Sequence, residues 1–140
     1  MFTIDTSTGF GKRIARQLDD ERIVWLTTVA KSGTPAPTPV WFLWRGDEIL
    51  IGSEPDKAKL RNIAAHPQVS VNFNATHTGG DVGVITGTAV IESAPISGDE
   101  LAAYNEKYAE DIAGLGMTPD QFHASYSVLI RITPEKLRGF

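Results

Sequence analysis

Lys57, Lys59 and Arg61 fall within five residues in SEPDKAKLRNIAAHP, Ser53 to Pro67, directly after a short apolar run. Cations at the start of a helix suit a phosphate, which needs amide donors at the helix N-terminus together with mobile or forked cationic side chains. Ser53 can cap such a helix, with Asp56 three residues on as the reciprocal partner of a capping box. Lys57 and Arg61 share a helix face, whereas Lys59 joins them only along its long stem. Asn62 stands beside the apolar stripe of Leu60, Ile63 and Ala64, where a polar side chain should be tying something down. The plain alternative for the whole cluster is a solvated helix surface.

A second stretch, TPAPTPVWFLW (Thr34 to Trp44), sets three prolines two apart and runs them into an almost wholly apolar segment. Amides two residues apart on a strand point to the same side. Pro35, Pro37 and Pro39 therefore remove donors from one edge only, and that edge must end the sheet or stay open. From Val40 to Trp44 no polar face remains, so both faces of the strand are covered. One face lines the core. The other meets a helix, a second subunit or a bound ring. Two readings follow: a blunted edge with tryptophans under a helix, or a dimer interface holding a flat cofactor, with Trp25, Trp41 and Trp44 as an aromatic wall.

Other chemistries find little support. There is no cysteine, so disulfides, thiol catalysis and cysteine metal sites are excluded. His66, His77 and His123 are scattered, and no metal site is expected. HExxH, GxSxG, GxGxxG and the GxxxxGK[ST] loop are all absent. The loop Thr78-Gly79-Gly80-Asp81 is a weak anion-binding signal, and Tyr104, Tyr108 and Tyr126 are possible proton donors, the first two spaced as helix packing residues. The net charge of -4 argues against a nucleic-acid partner. No apolar run approaches 18 residues, and the N-terminus lacks a signal-peptide order, so a cytoplasmic protein is expected.

The elements that must position these groups are short. Phe10, Ile14 and Leu18 predict an opening helix, and Arg22–Ala30 a strand. After the proline strand and the turn at Arg45–Glu48 comes Ile49–Ser53, making an antiparallel meander. The basic helix ends at His66-Pro67, followed by strands at Val69–Phe73 and Val82–Glu92, where Gly83 and Gly87 mark bends or close backbone approach. Ser97–Glu100 reads as a second capping box, opening a helix through Leu101, Tyr104, Tyr108 and Ile112; Thr118–Gln121 reads as a third. Ser127–Ile132 is a sixth strand, with a turn at Thr133-Pro134. The sum is a mainly β chain: a six-stranded antiparallel barrel with short helices at its openings, one domain over 1–140.

Taken in order, VWLTTVAKSGTPAPTPVWFLWRGDEILIGSEPDKAKLRNIAAHPQVSVNF and LGMTPDQFHASYSVLIRITPEKLRGF resemble the flavin- and deazaflavin-binding split β-barrel family related to pyridoxamine 5'-phosphate oxidase, and within it the actinobacterial branch of probable F420-dependent enzymes. The resemblance implies an FMN-binding split barrel acting as a homodimer, with a cofactor cleft completed by the second subunit. It implies that Thr38, Pro39, Val40 and Trp41 lie against the tricyclic ring of coenzyme F420. Ser53, Lys59 and Asn62 would be at the ribityl phosphate, Lys59 foremost, and Lys57 and Arg61 at the phosphate or a distal acidic tail. The activity implied is that of an F420H2-dependent oxidoreductase passing hydride to an electron-poor double bond, quinone or similar small-molecule acceptor. No catalytic side chain is assigned; the proton comes from Tyr126, His77 or solvent. The alternatives are an FMN-dependent oxidase or reductase of the same fold, or a non-catalytic flavin, F420 or haem-binding protein.

Overall fold

Strict alternation along the strands sorts the apolar side chains of this protein into two cores. In the computed structural model, which describes residues 2–140, Val40 and Phe42 belong to one cluster together with Ile49, Ile51, Ile130 and Ile132, and Trp44 packs against it. Leu43, Leu50 and Leu129, the intervening residues, belong to the other, with Trp41 against it. Adjacent residues of a strand face opposite ways, so an unbroken apolar run must be covered twice. The covering elements of the second face are helices: Tyr104, Tyr108, Ile112 and Phe122 complete that core.

The chain order is α1 (Gly9–Asp20), β1 (Val24–Val29), β2 (Pro35–Val40), β3 (Leu43–Trp44), β4 (Ile49–Ser53), α2 (Ala58–Ala65), β5 (Gln68–Asn72), β6 (Gly83–Ile91), α3 (Gly98–Gly114), α4 (Pro119–Ser125) and β7 (Val128–Gly139). The seven strands form one antiparallel sheet in the order β2-β1-β5-β6-β7-β4-β3. A flat sheet of that width would put its outer strands roughly 29 Å apart at about 4.8 Å per strand. Yet β2 and β3, its two outer strands, are joined through Trp41 and Phe42 alone. Three Cα–Cα steps reach at most about 11 Å. The sheet is therefore curled until its edges nearly meet, a barrel split along one seam.

The expected six strands become seven because the apolar run breaks at Trp41-Phe42 instead of continuing, dividing β2 from β3. Nor does the chain turn at Thr133-Pro134. β7 runs on to Gly139, and its register against β6 skips Glu135, with Pro134 opposite Gly87. The irregularity at Thr86/Gly87 lets a proline sit in a paired strand. Gly87 is required there: a Cβ would lie 2.3 Å from Thr133 O.

Two of the three expected capping boxes do not form. Ser53 ends β4, where it pairs with Val128 and donates its hydroxyl to Glu54 O; α2 starts later, at Ala58, with Lys57 in the N-cap position and no side-chain cap. Asp56, its expected box partner, lies in the bend between them at φ 63°. Ser97 is the N-cap of α3 without a side-chain hydrogen bond, and the Glu100 carboxylate, which would close the other half of the box, is turned to Arg131. The box at Thr118 and Gln121 is complete, with a proline in the first turn.

Candidate functional site

The prolines act as the sequence predicts. Pro35, Pro37 and Pro39 stand opposite Val29, Thr27 and Trp25 of β1, and Ala36, Thr38 and Val40 alternate with them in the register. Among the described residues β2 has no strand partner on its other side. The outer edge beyond β1 thus offers carbonyl oxygens with no amide donor between them.

Where this edge runs toward the seam, a cleft of about 450 Å³ opens, and Pro39, Val40 and Trp41 form one wall. Lys57, Lys59 and Glu54 supply a charged end, while Tyr104, Leu115, Phe122 and Tyr126 supply an aromatic and aliphatic one. The aromatic side is a continuous stack. Trp41 lies 4.7 Å from Tyr108 at 4° and 5.3 Å from Phe122 at 19°, and Phe122 lies 4.5 Å from Tyr126 at 22°. Stacked in this way, the rings hold one another in place, and Trp41, Phe122 and Tyr126 also border the cleft as apolar surface.

At the charged end Lys57 Nζ sits 3.4 Å from Glu54 Oε2, both side chains substantially exposed. Lys59 is half-buried. Its ammonium is held below the ordinary lysine value, first by that burial and then by the neighbouring Lys57, with Glu54 opposing. The first turn of α2 beside them has no side-chain cap; the Leu60 amide donates to Lys57 O at 3.1 Å, which leaves the amides of Ala58 and Lys59 for an anion.

Of the nine residues expected at a cofactor, Pro39, Val40, Trp41, Lys57 and Lys59 line this one cleft. Thr38 is half-buried on β2, just outside the lining. Ser53 is buried, its hydroxyl donating to Glu54 O. Arg61 donates to Asp56 O at 3.0 Å, bracing the bend before α2. Asn62 donates to Thr28 Oγ1 at 3.0 Å and so ties α2 to β1, in keeping with its place beside the apolar stripe. The three tryptophans do not make a common wall: Trp25 donates to Asn74 Oδ1, and Trp44 packs edge-on against Phe2 at 6.4 Å. His77 lies exposed in the loop after β5, outside the cleft. His123, whose imidazole burial holds below its usual value, is bonded to Asn105 Oδ1 at 2.7 Å.

Sequence reasoning missed the wall given by Tyr104, Leu115 and Phe122. Their helical spacing shows an apolar face without showing that part of it borders a cleft.

The sequence pattern of the pyridoxamine 5'-phosphate oxidase family matches residues 10–140. No curated protein is significantly similar in sequence. Among solved structures, an F420 reductase is 22% identical, with a TM-score of 0.67 over 88% of this chain and 94% of that one. The heme storage protein HutZ from Vibrio cholerae is also 22% identical, with a TM-score of 0.61 over 91% of this chain and 92% of that one. General Stress Protein 26 from Bacillus anthracis is 19% identical, with a TM-score of 0.64 over 90% and 89%. At such identities the likeness is one of fold, shared by an enzyme and a storage protein. The family match over nearly the whole length carries more, and with the split barrel and its lysine-and-aromatic cleft it shows that the chain belongs to the pyridoxamine 5'-phosphate oxidase family.

Proposed function

We propose that the cleft binds coenzyme F420 and that the chain is an F420H2-dependent oxidoreductase, working as a homodimer whose second subunit completes the cleft. The observation that carries this reading is the pairing, in one cleft, of a half-buried lysine beside an uncapped helix start with a stacked aromatic wall. A phosphorylated ribityl chain calls for the first, and a flat tricyclic ring for the second. The residues present fit the group: Lys59 and Lys57 for the phosphate, Trp41 with Pro39 and Val40 for the ring.

When bound in its reduced form, the deazaflavin supplies a hydride to an electron-poor double bond, quinone or similar acceptor. This chain's own residues orient and exclude. Trp41, Phe122 and Tyr126 line the cleft with apolar aromatic surface that displaces water from a planar acceptor. Tyr126 lines the cleft of a single chain and His77 does not, which favours Tyr126 or solvent over His77 as the proton source.

One observation favours the FMN-dependent reading instead. Two lysines line the cleft and one is paired with Glu54, so few surplus cations are on hand for an acidic tail. Side-by-side titration of cofactor-stripped protein with F420 and FMN, followed by tryptophan quenching, separates the two. Micromolar F420 binding, at least about tenfold tighter than FMN, supports the proposal; the reverse preference transfers it to flavin chemistry. Tight binding with no acceptor reduced makes the protein a carrier. Lys59→Ala should weaken either cofactor by about 1.5–3 kcal/mol, the scale of a hydrogen bond to a charged group, and an unchanged affinity removes Lys59 from the site.

A further inference from the structure

The Trp41-Phe42 crossing is the one place where the sheet's two outer strands are joined, and it has no ladder partner. Unpaired backbone groups in a buried segment must be satisfied by other means. Phe42 is fully buried. Its N–H donates to Tyr108 Oη at 2.9 Å, and its carbonyl accepts from Lys107 Nζ at 2.9 Å. The Tyr108 hydroxyl has Arg22 O at 2.8 Å and Phe42 O at 3.0 Å as acceptors for its single proton. The Lys107 ammonium also stands 3.8 Å from the centre of the Phe42 ring.

Consecutive helical side chains diverge by about 100° and do not ordinarily reach one target. Here they do, because α3 leaves helical geometry at Tyr108, with φ -110° and ψ 15°. The kink turns Lys107 and Tyr108 onto the same carbonyl, that of Phe42. It also lays the Tyr108 ring flat against Trp41, the residue before Phe42 and a wall of the cleft.

We infer that Lys107 and Tyr108 are positioning residues for the cleft: they clasp the backbone of Phe42 and thereby hold Trp41 in place as a wall of the cleft. The clasp is a feature of the fold, while its bearing on binding rests on the cofactor reading above. Neither side chain needs to touch ligand. Misplacing such a wall by an ångström is enough to lose affinity.

Two variants test it in the whole 140-residue chain. Tyr108→Phe keeps the stacked ring and removes the hydroxyl; Lys107→Met keeps the stem and removes the ammonium. Three quantities are read: hydrogen exchange at the Phe42 amide, emission of Trp41 with Trp25 and Trp44 replaced by Phe, and dissociation constants for FMN and for F420. In Tyr108→Phe, Phe42 exchange should rise at least about tenfold, and in both variants Trp41 emission should shift. Whichever cofactor binds should do so about three- to tenfold more weakly, with the melting transition still cooperative. Unchanged emission and exchange in both variants overturns the clasp. Faster exchange with unchanged affinity overturns its positioning role. If wild-type protein binds neither cofactor, the cofactor reading falls, and exchange and emission alone decide whether the clasp holds Trp41.

Discussion

Lys107 is an ammonium placed where an ammonium is costly. Burial first, and the nearby Arg22 second, bring it down to about 8, against the pull of Asp19, Asp20 and Glu21. Glu106 joins Asp19, Asp20 and Arg22 around the same surface hollow, and Asp111 is tied up by Arg22. Below about pH 8 both folded and unfolded chains carry the proton, and the burial penalty is fully present. Between about 8 and the ordinary lysine value the folded chain holds fewer protons than the unfolded one, so stability rises with pH. Urea unfolding of wild type and Lys107→Met across pH 7–11 should show the difference between them moving in favour of wild type over that window; a flat difference would place the titration elsewhere. Arg131 is the opposite case, a cation held charged by Glu100, Glu92 and Glu48 at 2.7–3.0 Å. Those contacts in turn hold the Glu100 carboxyl below its usual value, so its stabilisation is present above the unfolded carboxylate value and is lost as pH falls through the folded one. Removing the cation leaves three acids together, and Arg131→Met should cost about 2–3 kcal/mol, near the lower end for breaking a buried ion pair because the cluster is partly solvated. Asn62 was legible from its place beside an apolar stripe. Arg131 was not, since its three carboxylates come from separate parts of the chain and no local spacing announces them.

At the scale of elements, local patterns were legible where nothing in the tertiary structure competed for the same groups. Thr118-Pro119-Asp120-Gln121 closes its box because neither partner is wanted elsewhere. Ser53 and Glu100 had the same grammar and lost it, the first to the β4–β7 ladder and the second to Arg131. The proline strand was legible for a stronger reason: a missing amide cannot be supplied by context. Its prolines face away from β1's hydrogen bonds, so their rings cost the ladder nothing and restrain the unfolded chain. Pro37→Ala should therefore lower stability only by about 0.4–1 kcal/mol, chiefly through the unfolded state, with the urea slope unchanged. A loss above about 2 kcal/mol would mean that the ring itself is packed. The break at Trp41-Phe42 could not be read, because nothing in VWFLW distinguishes a crossing residue from a strand residue. What ends the strand is Tyr108, sixty-six positions away.

For the whole molecule, the alternation of apolar residues implied two covered faces, but not which strand would lie beside which. β1 pairs with β5, and β4 with β7, across long stretches of sequence. The cleft inherits this opacity, since its walls come from β2, the bend before α2, and α3 with α4. The same geometry constrains how two copies can join. A second β2 laid against the first would set carbonyls against carbonyls along the proline edge, so a dimer cannot be built by extending the sheet there. Two copies would then meet through side chains or along the short edge strand β3. Leu115 is a large apolar residue 53% exposed on a single chain, and it stands on the rim of the cleft. If a second copy completes the cleft over this rim, Leu115→Asp should weaken association by about 1–2 kcal/mol, roughly five- to thirtyfold. Cofactor affinity measured near that dissociation constant should fall in step, by mass action. Sedimentation velocity over a dilution series, run with and without cofactor, reads both. Wild-type protein that stays monomeric while binding cofactor at full affinity would show that one chain makes the whole cleft, and would return Leu115 to the class of exposed leucines that need no partner.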